Sequence, residues 1–161
     1  MFILGTANFG NSYPGSKLHL DNNQAYHLLQ EFIGSGGIQV DTAETYGNSL
    51  SIIRKLKVLK FNIGTKFSSK IMLEPESFAK YLNKLKSGFG NRLKYCLLHD
   101  LTFISEIPQQ SFVILDKFLN ESGNLKFGIS IYNFSDLKQA CREINRISIV
   151  QAPLNYFDRR F

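Results

Sequence analysis

The 161-residue sequence is 43% hydrophobic and 20% charged, enough for one domain over residues 1–161 with a sizeable core, which excludes a chain that stays disordered. Its 19 Lys and Arg against 13 Asp and Glu give a net charge of +6, which would suit an anionic ligand or nucleic acid. The basic residues are scattered over predicted helices, as at Arg54, Lys55, Lys57 and Lys60, so solvated helix faces explain them better. No aromatic-basic stripe indicates a nucleic-acid partner.

Neither a metal site nor a membrane segment is expected. Cys96 and Cys141 share no short spacing and have no His nearby, so two buried free thiols in a reducing cytosol are predicted. Gly5 and Thr6 end the apolar start of the chain far short of a signal peptide's apolar core. No apolar run approaches the ~20 residues needed to span a bilayer. We therefore expect a soluble, cytoplasmic protein.

Short apolar runs predict six strands, and apolar residues at helical spacing predict five helices between them. The strands fall at residues 2–6, 38–41, 61–66, 93–98, 125–130 and 147–152. The first strand runs into a polar loop that holds Gly10, Asn11, Pro14 and Gly15. The helices are one over residues 22–33 capped by Asp21, one capped by Asn48 or Ser49 that extends to Leu59, one opened by Glu74 and Pro75, one between Pro108 and Gly123, and one capped by Ser135.

Strands that alternate with helices predict βαβ units with right-handed crossovers and a parallel sheet. The period alone does not decide between an open, doubly wound sheet and part of a barrel. An open dinucleotide-binding sheet would carry G-x-G-x-x-G directly after a strand, and the sequence has none. The (β/α)₈ fold gathers catalytic groups from several strand ends at one face, so polar residues at the strand ends favour the barrel.

Four polar residues lie just past the second, third and fourth strands: Asp41, Tyr46, Lys66 and His99. A tyrosine hydroxyl, with an ordinary pKa of about 10, becomes a usable general acid when a nearby ammonium favours the phenolate. Asp41 would hold Lys66 in place, and a neutral His99 could bind a carbonyl oxygen beside Tyr46. A carbonyl polarised in this way is ready to accept hydride, which requires a cofactor.

Each of these residues alone has a simpler structural explanation. Asp41 or Tyr46 could satisfy backbone groups in a loop, Lys66 could be exposed, and His99 with Asp100 could form a hydrogen-bonded turn. Together, an acid, a cation, a carboxylate and an imidazole at strand ends in register favour function. His19 and His27 have no such partners, and a structural role explains them better.

Several stretches carry a resemblance to a known family. They are Leu4-Gly5-Thr6-Ala7-Asn8-Phe9-Gly10, the run from Asp41 to Ser49, Gly64-Thr65-Lys66, Leu97-Leu98-His99, Gly128-Ile129-Ser130-Ile131-Tyr132 and the run from Gln151 to Phe161. Each is weak alone, but in this order and at these strand ends they are specific. The sequence resembles the aldo-keto reductase family over essentially all of its residues.

The resemblance implies a (β/α)₈ TIM barrel and the reversible, NADPH-dependent reduction of aldehydes and ketones. It implies Tyr46 as proton donor, Lys66 as the group that lowers its pKa, Asp41 as the partner of Lys66 and His99 as the residue that orients the carbonyl. It also implies a set of cofactor-binding residues: Gly5, Thr6 and Asp41 near the nicotinamide ribose, and Ser130 and Gln151 at the carboxamide. Many members have Asn after that Ser, where this chain has Ile131.

A (β/α)₈ barrel typically takes about 250 residues, with its phosphate site after the seventh and eighth strands. This sequence stops just after the sixth, so we expect an incomplete barrel with open sheet edges and a tendency to self-associate through them. A fragment of a longer reductase is the favoured explanation; the alternatives are a second polypeptide that supplies the rest, or two copies that pair edges.

Two functions follow from these expectations. The first is an NAD(P)H-dependent oxidoreductase that reduces an aldehyde or ketone, with a complete acid–base apparatus, a site for the nicotinamide cofactor that is defective in this chain, and no metal. The second is a non-catalytic remnant, or half of a split barrel, that acts through binding or assembly. The carbonyl substrate and the choice between NADPH and NADH cannot be derived from these residues.

Overall fold

The computed structural model describes residues 2–9, 20–56, 60–157, 159 and 161. The predicted loop from Gly10 to Gly15, His19, Lys57 and the end of the second helix at Leu59 lie outside the described residues. Within the described ones, strands and helices alternate along the chain as the sequence predicts. The strands are β1 (Leu4–Gly5), β2 (Gln39–Asp41), β3 (Asn62–Phe67), β4 (Leu93–Leu98), β5 (Lys126–Ser130) and β6 (Ile149–Gln151). The α-helices are α1 (Asn22–Gly34), α2 (Ser49–Lys55), α3 (Pro75–Phe89), α4 (Gln109–Glu121) and α5 (Phe134–Glu143).

All six strands are parallel and pair in chain order, β1-β2-β3-β4-β5-β6, in one curled sheet. Helices that connect neighbouring parallel strands in this order build the (β/α)₈ arrangement. The prediction of an incomplete TIM barrel with six strands and five helices is therefore confirmed. Strand β1 is shorter than predicted, since only Leu4 and Gly5 pair with β2.

Successive side chains of each strand point to opposite faces of the sheet, which separates a helix-facing core from the barrel interior. On the helix side, Val40, Ile63, Cys96, Phe127 and Ile129 are fully or almost fully buried in the main apolar cluster. That cluster also takes the inner stripe of α3, at Phe78, Leu82, Leu85 and Phe89. The alternate residues of the strands face the interior, and they include the buried polar residues Gln39, Asp41 and Lys66.

Two helix starts show how the local sequence sets the elements. Asp21 caps α1 as predicted: its Oδ1 accepts from the backbone N–H groups of Asn23 and Gln24 at 2.8 and 2.9 Å, and the Gln24 side chain accepts from the Asp21 N–H at 3.0 Å. At α2 the N-cap is Asn48, but its side chain makes no capping hydrogen bond. The Ser49 hydroxyl enters a buried network described below.

Two predictions about α5 are wrong. Its N-cap is Asn133 and not Ser135, because Asp136 reaches back to accept from the backbone N–H groups of Tyr132 and Asn133, each at 3.0 Å, and completes a capping box. Cys96 is a buried thiol, but Cys141 is exposed. The buried residue of α5 is its neighbour Ala140, and consecutive helical residues lie about 100° apart around the axis. No described helix is long and apolar enough to cross a membrane.

Candidate active site

The carboxyl ends of the strands place several polar side chains around one cavity of about 330 Å³. Asp41, Ser130 and Gln151 end their strands, Lys66 is the second-last residue of β3, and His99 follows β4 directly. Parallel strands that run in chain order bring their carboxyl ends to one edge, so residues distant in sequence become neighbours. The cavity lining within the described residues is Asp41, Tyr46, Lys66, His99, Ser130, Ile131, Tyr132, Gln151, Ala152 and Pro153.

A buried ion pair forms the floor of this cavity. The Lys66 ammonium donates to Asp41 Oδ2, and its Nζ also lies 3.4 Å from the carbonyl oxygen of Thr42. The Lys66 side chain is 3% exposed and that of Asp41 is 12% exposed. A buried pair is stable only when further hydrogen bonds satisfy both groups. Here the second oxygen of Asp41 accepts a hydrogen bond of 2.9 Å from the Tyr95 hydroxyl.

Tyr46 lies beside this pair, on the loop between β2 and α2. The loop is held as a turn, since the Tyr46 N–H donates to the Ala43 carbonyl at 3.1 Å and the Tyr46 carbonyl accepts from the Ser49 N–H at 2.9 Å. The Lys66 Nζ lies 5.4 Å from the centre of the Tyr46 ring. At that distance an ammonium interacts favourably with an aromatic ring and with a phenolate.

The imidazole of His99 also contacts Tyr46. Its ring meets the ring of Tyr46 edge to face, with centroids 5.7 Å apart and planes at 85°. The Thr45 hydroxyl lies 3.2 Å from Nδ1 of His99 and fixes the ring from behind. Burial, and then the charge of Lys66, lower the pKa of His99 below its ordinary value, while Asp100 and Asp41 raise it less. The imidazole is therefore neutral at pH 7 and can donate a hydrogen bond without a charge.

The buried hydroxyl groups of Thr6, Thr42 and Ser49 form a hydrogen-bonded network at the end of β2. Ser49 donates to the Thr6 hydroxyl at 2.6 Å and lies 2.7 Å from the Thr42 hydroxyl. The Thr6 hydroxyl in turn lies 3.1 Å from the carbonyl oxygen of Asp41 and donates to it. This network ties β1, β2 and the start of α2 together, so it fixes the backbone that carries Asp41.

The structure separates the predicted cofactor residues into two groups. Ser130 and Gln151 line the cavity together with Tyr46, Lys66 and His99. Gly5 and Thr6 do not: Gly5 pairs with Asp41 in the sheet, and the Thr6 side chain lies under the Asp41 backbone. A serine hydroxyl and a glutamine amide supply both donors and acceptors, which is what a carboxamide needs. No group of three or more His, Cys, Asp or Glu side chains within the described residues could hold a metal ion.

Sequence reasoning missed Tyr95, whose phenol reaches the Asp41 carboxylate from the next strand but one. Tyr95 sits within the apolar run of β4, where an aromatic residue predicts only core packing. Its position carries a signal, because residues 95, 97 and 99 share one face of the strand, and His99 faces the cavity. Tyr132 and Pro153 also line the cavity and were not singled out as site residues.

Comparison with known proteins places this geometry in context. The aldo/keto reductase family model matches residues 2–161. A thermostable aldo-keto reductase solved with the inhibitor epalrestat superposes with a TM-score of 0.74 at 23% identity, over 98% of this chain and 59% of that one. An aldo-keto reductase from Klebsiella pneumoniae in complex with NADPH gives a TM-score of 0.62 at 19% identity, over 89% and 50% of the two chains. These structures establish the shared fold.

The chain is also similar in sequence to a yeast protein. A candidate aryl-alcohol dehydrogenase of Saccharomyces cerevisiae, AAD14, is 29% identical over 97 residues, which are 60% of this chain and 25% of the yeast protein. The chain therefore spans between half and three fifths of the two solved relatives named above and a quarter of the yeast one.

Proposed function

The chain belongs to the aldo/keto reductase family, and from this premise we propose that it reduces an aldehyde or a ketone to the corresponding alcohol with a nicotinamide cofactor. The observation that carries the proposal is the position of Tyr46 between a buried ammonium and a neutral imidazole, in a cavity at the carboxyl ends of the strands. A phenol in that position can give a proton to a carbonyl oxygen as the oxygen gains negative charge.

Lys66 makes the phenol of Tyr46 a better acid. Its positive charge, 5.4 Å from the ring centre, favours the phenolate that remains after the proton leaves. Because Lys66 is 3% exposed, water screens this charge far less than at the surface. Asp41 accepts a hydrogen bond from the ammonium and so keeps it fixed beside the ring. Asp41 therefore acts through Lys66 and has no need to touch the substrate.

His99 orients the carbonyl in the proposed reaction. A neutral imidazole donates a hydrogen bond to a carbonyl oxygen without competing with Tyr46 as a charged acid. The Thr45 hydroxyl lies at Nδ1, so in this proposal the other ring nitrogen is the one that donates to the carbonyl. Two donors, the phenol and the imidazole, would then converge on one oxygen, and this convergence sets the position of the carbonyl carbon.

When bound, a nicotinamide cofactor supplies the hydride that such a carbonyl accepts. In this proposal Ser130 and Gln151 hold the carboxamide, and Gly5, Thr6 and Asp41 lie near the ribose. The NADPH bound to the Klebsiella relative supports NADPH as the cofactor to test first. The name of the yeast relative supports an aromatic aldehyde as the first substrate to test.

The test is conversion of a nitrobenzaldehyde to its alcohol with NADPH or NADH, followed by chromatography of the product and by cofactor oxidation. The wild-type chain should form the alcohol, and Tyr46→Phe should form it about 10³-fold more slowly. Turnover in Tyr46→Phe at the wild-type rate would rule out the proposed acid. No alcohol, together with no change in protein fluorescence on adding either cofactor, would favour a non-catalytic binding or assembly role.

A further inference from the structure

Tyr95 occupies the barrel interior directly beneath the catalytic ion pair. It lies on β4 opposite Gly64 of β3, and its ring fills the space that a side chain at position 64 would take. A Cβ built on Gly64 would lie 1.8 Å from Cζ and 2.3 Å from the hydroxyl oxygen of Tyr95. Only glycine therefore allows the Tyr95 ring to lie flat against β3 and to extend towards β2.

This placement brings the Tyr95 hydroxyl to Oδ1 of Asp41, the carboxylate oxygen that does not accept from Lys66. The phenol donates to Oδ1 at 2.9 Å, while Oδ2 accepts from the Lys66 ammonium. Each carboxylate oxygen thus has its own donor, one from β3 and one from β4. A carboxylate held at both oxygens cannot rotate about its Cβ–Cγ bond without breaking a buried hydrogen bond.

The Tyr95 hydroxyl is also protonated at neutral pH. Burial, the charge of Asp41 and the hydrogen bond to Asp41 all raise the pKa of Tyr95, and a hydrogen bond from Gln39 lowers it less. Tyr95 therefore neither takes up nor gives away a proton in this site. Its contribution is a permanent hydrogen-bond donor aimed at one atom.

We propose that Tyr95 is a positioning residue of the proposed reductase: its phenol locks the Asp41 carboxylate, which in turn holds the Lys66 ammonium beside the ring of Tyr46. The proposal rests on the proposed function and adds to it a residue that acts from the barrel interior. Gly64 contributes to the same positioning of Asp41, because the absence of a side chain there provides the room that the Tyr95 ring needs.

The test compares Tyr95→Phe with Tyr81→Phe. Both changes remove one buried phenol oxygen, but Tyr81 packs on the helix side of the sheet, with its ring centre 5.8 Å from that of Phe67. We expect Tyr95→Phe to lower kcat about tenfold, the equivalent of one hydrogen bond to a charged group, and to leave KM for aldehyde and for NADPH within about twofold. Tyr81→Phe should leave both constants unchanged.

Gly64→Ala should lower kcat as well, by displacing the Tyr95 ring and not by removing its hydroxyl group. Its methyl group would push the Tyr95 ring away from β3, so kcat should fall as in Tyr95→Phe, and the double variant should lose little more than either single one. Equal kcat for wild type and Tyr95→Phe would overturn the proposal, and so would an equal loss in Tyr81→Phe.

A readout that needs no activity separates this proposal from the proposed function. In urea unfolding, the combined effect of Tyr95→Phe and Asp41→Ala on the unfolding constant should fall short of the product of their separate effects by about tenfold, because both changes break the same contact. If Asp41→Ala prevents folding, Asp41→Leu, which keeps the shape of the side chain without an oxygen atom, takes its place in the cycle. Independent effects would overturn the Tyr95–Asp41 link even in an active enzyme. An inactive wild type with coupled effects would reject the proposed function and retain the link.

Discussion

The centre of the sheet and its β5–β6 side are built differently, although both reach the same cavity. At the centre, β3 and β4 have six residues each, and Asp41, Lys66 and Tyr95 are buried with their polar atoms joined to one another. On the other side, β6 has three residues, Val150 is 43% exposed, and the described side chains of Ser130 and Gln151 are half-buried.

The difference follows from what each region is proposed to do. A charge that tunes a phenol must be fixed and kept from water, and only a buried, fully hydrogen-bonded position does both. Residues that receive a cofactor must remain open to it before it binds. The centre should therefore control kcat and stability together, whereas the cavity residues of the β5–β6 side, Ser130 and Gln151, should control cofactor affinity with little effect on stability. Each of the following changes tests one part of that contrast.

The largest expected effect comes from the two tyrosines that line the cavity, one from each region. Tyr46→Phe should lower kcat/KM for nitrobenzaldehyde reduction by about 10³-fold, since a general acid contributes about 10² to 10⁴. Tyr132→Phe, on the β5–β6 side of the same cavity, should lower it by less than about fivefold. Initial rates of NADPH oxidation measure both. Similar losses in the two variants would remove the distinction between the regions.

The next effect compares a buried ion pair with an exposed one. Lys66→Met leaves the Asp41 carboxylate buried without its cation and should lower the free energy of unfolding by about 3 to 5 kcal/mol. The control is Lys86→Met, which breaks a pair of 3.1 Å with Glu121 whose side chains are 46% and 50% exposed. That change should cost less than about 1 kcal/mol. Urea unfolding followed by circular dichroism gives both values, and equal values would contradict a specially buried centre.

The architecture could be predicted from the sequence because the spacing of apolar residues and the residues that begin or end a helix act locally. Apolar runs, a capping Asp21 and the closing Gly123, which adopts a φ of 63°, each specify a strand, a helix start or a helix end without reference to the rest of the chain. The meeting of Asp41, Lys66 and His99 around one cavity also follows from sequence, because parallel strands align their carboxyl ends. The catalytic roles given to these side chains stay predictions.

What sequence reasoning missed depends on contacts across the sheet. The bond from Tyr95 to Asp41 requires that β3 present a glycine between them, and the register that places Gly64 opposite Tyr95 is a property of the folded sheet. The start of α5 is a different kind of error. Ser135 and Asn133 are both good capping residues, and Asp136, three residues after Asn133, was the available signal that selects Asn133.

On the β5–β6 side, a matched pair of serines tests affinity against stability. Ser130→Ala, at the carboxyl end of β5, should weaken NADPH binding about three- to tenfold through the loss of one hydrogen bond, with little change in stability. Ser148→Ala, at the amino end of β6, removes a hydrogen bond of 2.9 Å to the Phe127 carbonyl. It should cost about 1 kcal/mol of stability and leave NADPH binding unchanged. Fluorescence titration and urea unfolding measure the two quantities, and the opposite assignment would refute the contrast.

The smallest effect concerns pH, and it arises where the centre meets the cavity. Burial and the charge of Lys66 lower the pKa of His99 from its ordinary value of 6.5. In the unfolded chain the pKa of His99 returns to that ordinary value, so between the two values the unfolded state binds more protons than the folded state. Stability must then fall as the pH drops through this window, and the loss is complete below the folded pKa.

Replacement of His99 should therefore flatten the acid side of the stability profile. His99→Gln keeps a polar side chain of similar length but does not titrate, so its free energy of unfolding should change less than that of wild type as the pH falls from about 7 to about 5. The exposed His27 on α1 supplies the control, and His27→Gln should retain the wild-type slope. Urea unfolding at a series of pH values gives the slopes. An unchanged slope in His99→Gln would show that the imidazole is charged as readily in the folded protein as in the unfolded chain, and burial and Lys66 would then not be what lowers its pKa.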